Sequence, residues 1–161
     1  MKSPSSRGLA GRFAAALALA FAAQMAGADD TPKAPASDKL AAARSAIAAT
    51  DWRAAIDELR RVDDPASADW NNLMGYALRK ASPPDVAAAE RHYDAALRID
   101  PKHRDALEYS GELYLMTDRL PQAEQRLAAL DRACLLPCAQ YTDLKKAVAR
   151  YKAERGAGAA R

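Results

Sequence analysis

The residues best suited to chemistry in this 161-residue chain are Cys134 and Cys138, in the run "CLLPC", and the two histidines, His92 and His103. Two thiols with three residues between them can close a disulfide, cycle between thiol and disulfide, or hold a soft metal such as copper(I). His103 follows a proline and precedes a new apolar run, where a histidine is ordinarily solvated, and no further ligand stands nearby in sequence. The spacing is not that of c-type haem attachment, and no histidine follows the second cysteine. Catalytic patterns are weaker still. His92 lies beside Tyr93 on a side expected to face solvent, Ser110 sits next to Gly111 rather than on an exposed elbow, and no glycine-rich phosphate loop is present. The acid pairs Asp29/Asp30 and Asp63/Asp64 read as tail and turn residues, solvated or capping. The expectation is a non-catalytic chain with no cofactor and no metal.

The chain start sets the redox setting of those thiols. "MKSPSSRGLAGR" carries Lys2, Arg7 and Arg12 without an acid, then comes the apolar run "FAAALALAFAA" and the small-residue site Ala26, Gly27, Ala28. This is the order of a secretory signal peptide, too short for a spanning helix, with cleavage expected after Ala28 and a retained anchor as the alternative. The separated arginines indicate the general secretory route. Loss of residues 1–28 takes three basic residues from 24, leaving 21 against 21 acidic ones. The mature chain is then formally neutral, so the basic balance offers no support for nucleic-acid or anionic-membrane binding. An oxidising compartment and an even cysteine count favour a disulfide across the turn made by Pro137.

The elements that position these residues read as helices. Alanine, leucine, arginine and glutamate dominate after a Pro- and Ala-rich lead at 29–36, and β-branched residues are sparse. Ala55, Ala89 and Ala123 are spaced by 34 residues each, as are Leu59, Tyr93 and Leu127, and Val62, Ala96 and Leu130. Each triplet follows i, i+4, i+7, one stripe down a helix. Gly75 and Gly111 are the only glycines between positions 28 and 155, and each interrupts a helical run at a cost of roughly 1 kcal/mol relative to alanine. Past the third unit, Leu144, Ala147, Val148 and Tyr151 draw an amphipathic helix whose polar side mixes signs.

A 34-residue period of helix, turn and helix resembles the tetratricopeptide repeat. The middle unit, "ADWNNLMGYALRKASPPDVAAAERHYDAALRIDPKH", carries the resemblance in Gly75, Ala89, Tyr93, Ala96 and Pro101; the next, "RDALEYSGELYLMTDRLPQAEQRLAALDRAC", in Gly111, Tyr114, Ala123 and Leu127. The first unit has Ala43 at the glycine position but matches at Ala55 and Leu59. Departures are a two-residue insertion at "SPPD", Leu78 in place of a tyrosine, and Leu135 in place of the closing proline. The resemblance implies an all-α chain, an α-solenoid of three helix pairs plus a C-terminal capping helix. Repeats fall at about 36–67, 68–103 and 104–137, inside a domain of 37–154 with the cap at 139–154 and a flexible tail at 155–161. The glycines would let Ala89 and Ala123 approach their partner helices, so Gly111→Leu is expected to unfold the domain.

In that stack His103 would lie at the same end as Cys134 and Cys138. The resemblance further implies a concave face that holds a protein or peptide partner, lined by Arg44, Asn72, Tyr76, Arg79, Lys80, Glu108 and Glu112. The plain alternative is ordinary charged helix positions, with Arg79 and Lys80 pairing to Glu108 and Glu112 across units. Tyr76 favours the groove, and the two glutamates argue against a clamp for an acidic tail. The expectation is a periplasmic bacterial adaptor or assembly factor without stable membrane insertion, with the open first-repeat end at Leu40 and Trp52 available for self-association. A thiol-redox or soft-metal carrier using Cys134 and Cys138 is the alternative.

Overall fold

The computed structural model describes residues 38–136 and 138–159, so the expected signal peptide, the lead at 29–36 and Pro137 lie outside the described residues. Among the described residues seven helices follow in order: α1 Ala41–Ala48, α2 Trp52–Val62, α3 Ala68–Lys80, α4 Val86–Ile99, α5 Arg104–Met116, α6 Leu120–Ala133 and α7 Ala139–Ala159. No strand occurs among the described residues. α7 continues five residues beyond Glu154, into the stretch expected as a flexible tail.

Local chemistry starts these helices. Asp51 and Asp85, 34 residues apart, accept hydrogen bonds from the amides of Ala54 and Ala88, each at 2.9 Å. Ser67 does the same for Trp70 at 3.2 Å. Such caps satisfy amides that the helix itself leaves free. His103 fills the corresponding place on α5, its Nδ1 accepting from the amide of Ala106 at 3.2 Å while Nε2 meets Asp69 at 3.0 Å. With a side chain only 10% exposed, His103 is a structural cap and not the solvated turn residue the sequence suggested. Thr50 and Asp118 take positive φ to close the three-residue turns inside the first and third units. The middle unit uses the longer "SPPD" turn instead.

Consecutive helices pack as antiparallel pairs, and the odd-numbered helices also touch one another in order, whereas α2, α4 and α6 do not come close. That asymmetry curves the stack, with α1, α3, α5 and α7 on the inner side. Long ion pairs span the gap beside α4: Arg119, just before α6, grips both oxygens of Glu90 at 2.7 and 2.8 Å, and Arg126 of α6 reaches Asp94 at 3.0 Å. Hydrogen bonding by Arg119 is the main reason the Glu90 carboxyl is held below its usual range.

The repeated positions form the core. Ala55, Ala89, Ala123, Leu59, Tyr93, Ala96 and Leu130 are fully buried, and burial of each leucine contributes about 1.5–3 kcal/mol. Trp70 joins the first two units by donating its indole N–H to the carbonyl of Leu59 at 2.7 Å. His92 packs edge-on against the Trp70 ring and bonds Asn71 at 3.1 Å, so it is half-buried rather than facing solvent. Burial, then Arg91, pushes its pKa down.

The two glycines differ in what they admit. A Cβ at Gly75 would lie 2.9 Å from the Tyr93 ring and 3.0 Å from the carbonyl oxygen of Ala89, so the α3 backbone does approach α4 at Ala89. At Gly111 the nearest atoms belong to Leu144 of α7, at 2.6 and 2.8 Å, and not to Ala123. The last unit has no following repeat, and the buried side of α7, with Leu144, Ala147 and Val148, packs there instead. Cys134 and Cys138 bracket the α6–α7 turn with their sulfurs 2.09 Å apart, at disulfide distance.

Candidate partner-binding groove

The inner side of the stack is a chain of aromatic rings framed by charges. Trp52 of α2 meets Tyr76 of α3 edge-on at 5.8 Å between ring centres, and Tyr76 meets Tyr109 of α5 at 4.6 Å. Tyr76 and Tyr109 come together because α3 and α5 lie side by side, each residue of α3 meeting one 33 or 34 positions on, as also in Asp69 with His103 and Arg79 with Glu112. Tyr109 was not among the residues singled out from sequence. Its signal was the period itself, since Tyr76 plus 33 falls on it.

Arg79 lies beneath this surface. Its guanidinium donates to Glu112 at 2.8 Å, lies 5.6 Å from the centre of Tyr76 and 5.7 Å from that of Tyr109, and its side chain is only 5% exposed. Burial opposes the Arg79 charge, but Tyr93 and Glu112 outweigh it and hold the group protonated above its ordinary range. Arg79 is therefore already neutralised by Glu112 and is not a free grip for a partner's carboxylate. Lys80 remains exposed, 5.9 Å above Tyr76, and among the described residues it pairs with no acid.

The remaining sequence-derived positions divide. Arg44 is at the surface of α1, bridging Asp38 at 3.4 Å and Asp69 at 3.1 Å. Asn72 is 3% exposed and buried in the floor, with no hydrogen-bond partner for its Oδ1. Glu108 is half-buried, and its carboxyl is pushed up to about 7 by burial first and then by Glu112, Asp143 and Asp105, with Arg79 opposing. Beyond Glu112 the groove opens into a pocket of about 240 Å³ between α3, α5 and α7, lined by Leu115, Met116, Ala147 and Tyr151 together with Arg150 and Glu154. Met116 is 55% exposed there, so an apolar wall faces solvent.

The first-repeat end is less open than expected: Leu40 is buried, and Trp52 is half-covered by Tyr76. No group of three or more His, Cys, Asp or Glu among the described residues is placed to hold a metal ion. No described helix is long and apolar enough to cross a membrane.

Residues 85–147, covering α4, α5, α6 and the start of α7, match the family described as tetratricopeptide repeat. A search of curated proteins found no match. This family's repeats point to protein–protein contact and are generally non-catalytic. The helix pairs, the 34-residue register and the family match over residues 85–147 converge, and the chain carries tetratricopeptide repeats.

Proposed function

We propose that this protein is a non-catalytic adaptor or assembly factor that holds a protein or peptide partner along the inner face of its short solenoid. The observation that carries this reading is the ring chain of Trp52, Tyr76 and Tyr109, running beside an open pocket with an apolar wall of Leu115, Met116 and Ala147. Half-exposed aromatics with polar tips give a large contact area at low entropic cost, which is why such residues anchor interfaces. The sequence order of a basic start, apolar run and small-residue site supports export, with cleavage after Ala28 and residence in a bacterial periplasm. In that setting Cys134 and Cys138 form a disulfide that fixes the angle of α7.

The test is capture of partners from periplasmic extract with the mature chain, beside two variants of confirmed fold. A partner lost with Tyr76→Ala/Lys80→Ala and kept by Cys134→Ser/Cys138→Ser supports the adaptor. Capture that depends only on the cysteines, with mixed disulfides or bound metal, would replace it with a thiol-redox or soft-metal carrier.

A further inference from the structure

The groove is not evenly charged, and the imbalance selects a partner chemistry. Asp105, Glu108 and Glu112 share one stripe of α5, and Asp143 faces them from α7. Their counterions differ. Glu112 holds Arg79, Asp143 has an exposed contact to Lys146 at 3.6 Å, and Asp105 accepts, among the described residues, only from the neutral amide of Gln140 at 2.8 Å. Glu108, at the centre, has no hydrogen-bond donor and no ion pair among the described residues, and the one cation that acts on it, Arg79, is already bound to Glu112. Asn72 of α3, in the floor, is 3% exposed, and its acceptor oxygen has no hydrogen-bond partner among the described residues. The other unpartnered groups of the floor, Arg79 Nε and Tyr93 Oη, act on one another. What the groove lacks is a donor.

A metal ion does not fit, because no three acids or imidazoles of the described residues are placed to share one. A long cationic side chain does, since it can lie along Tyr109 and reach a carboxylate that water already partly reaches. The apolar Leu115/Met116 wall of the pocket sets the rest of the match. Seven residues of α5 separate Glu108 from Leu115, about 10 Å along the axis. Three residues of an extended strand also span about 10 Å.

We propose that the groove takes an extended basic segment of a partner protein, with a lysine or arginine over Glu108 and an apolar side chain three residues away in the Leu115/Met116 pocket. This rests on the adaptor reading and narrows it to one charge class. A cation at Glu108 favours its ionised form, so binding near neutral pH releases a proton. The groups facing Glu108 are Asp105 and Glu112 on its own helix, Asp143 with Lys146 on α7, and Arg79 on α3.

The experiment is fluorescence anisotropy of the mature chain with labelled nonapeptides of serine and alanine. These carry lysine and leucine three residues apart, glutamate and leucine in the same places, or leucine alone. The lysine peptide is expected to bind at least tenfold more tightly than the glutamate peptide, and to weaken about tenfold from pH 8 to pH 6 as Glu108 takes up a proton. Glu108→Gln should remove both the preference and the pH dependence while leaving the helix signal unchanged. Equal or stronger binding of the glutamate peptide, lost with Tyr76→Ala but not with Glu108→Gln, overturns the basic-segment inference and leaves the groove standing. Failure of all three peptides to bind in a Tyr76-dependent way overturns both.

Discussion

The inner faces of α3 and α5 occupy the same register and present opposite chemistry. Aligned on their glycines, Asn72, Tyr76, Arg79 and Lys80 of the middle unit become Glu108, Glu112, Leu115 and Met116 of the third. The backbone is repeated; the surface is not. What repeats is the set of positions that must be small or apolar for the helices to pack, Ala89 with Ala123 and Gly75 with Gly111. What varies is the stripe that packing leaves free, and there the cationic half of one unit meets the anionic half of the next in the Arg79–Glu112 pair.

The largest effect that could break this comparison lies at the glycines. Gly75→Leu would drive a side chain into the Tyr93 ring and the Ala89 backbone, neither of which has room to move, and should abolish cooperative thermal unfolding. Gly111→Ala would press on the branched end of the buried Leu144 side chain, so a cost of about 1–3 kcal/mol is expected, read as a lowered Tm with the fold intact. If Gly111→Ala proves as damaging as Gly75→Leu, the cap is as rigid as the repeats.

Next comes the ion pair. Glu112→Ala leaves the Arg79 guanidinium buried without its partner and should cost about 3 kcal/mol in urea unfolding, below the largest such values because Glu112 is one-third exposed. Arg79→Met keeps the volume and leaves Glu112 to water, so its loss should be smaller. The reverse order would mean that the aromatic stacking of Arg79 outweighs its charge.

A smaller effect is pH-dependent and sharpens the contrast between the helices. Glu108 binds its proton more tightly in the folded chain, up to about 7, than at its ordinary value of 4.5. Between those values the folded state carries the extra proton, so this residue's contribution to stability falls as pH rises from about 4.5 through 7. Glu108→Gln should raise the Tm at pH 8 and leave it unchanged at pH 5. A Tm gain of equal size at both pH values would place the effect outside titration. The smallest change belongs to Lys80→Ala, exposed and unpaired with any acid among the described residues, expected within about 0.5 kcal/mol of the parent.

Much of the fold was legible because packing leaves a periodic trace. The stripes through Ala55, Leu59 and Tyr93 named the buried faces, and Leu144, Ala147 and Val148 named the buried side of the cap. Contacts across units were harder. By repeat register Gly111 reads as a neighbour of Ala123, as Gly75 does of Ala89, yet the last unit described takes its neighbour from α7. His103 and His92 were misjudged for a related reason: a turn residue becomes a buried cap only when Asp69 of the preceding unit reaches it, and no local pattern announces that. In the groove, Tyr76 was visible by its type, whereas Tyr109 needed the 33-residue offset between neighbouring inner helices. The burial of Arg79 beneath two rings is likewise a property of two helices together.

The most direct test of the account is site-specific photo-cross-linking in cells, with a benzophenone side chain placed in turn at Lys80, at Asp143 and at Arg98, all exposed. Lys80 and Asp143 look into the inner face, while Arg98 lines the outer groove between α4 and α6. One partner cross-linked from both inner positions and none from Arg98 is the expected result. Adducts from Arg98 alone would contradict it, because the working surface would then be the outer helices and the ring chain of Trp52, Tyr76 and Tyr109 would be packing only.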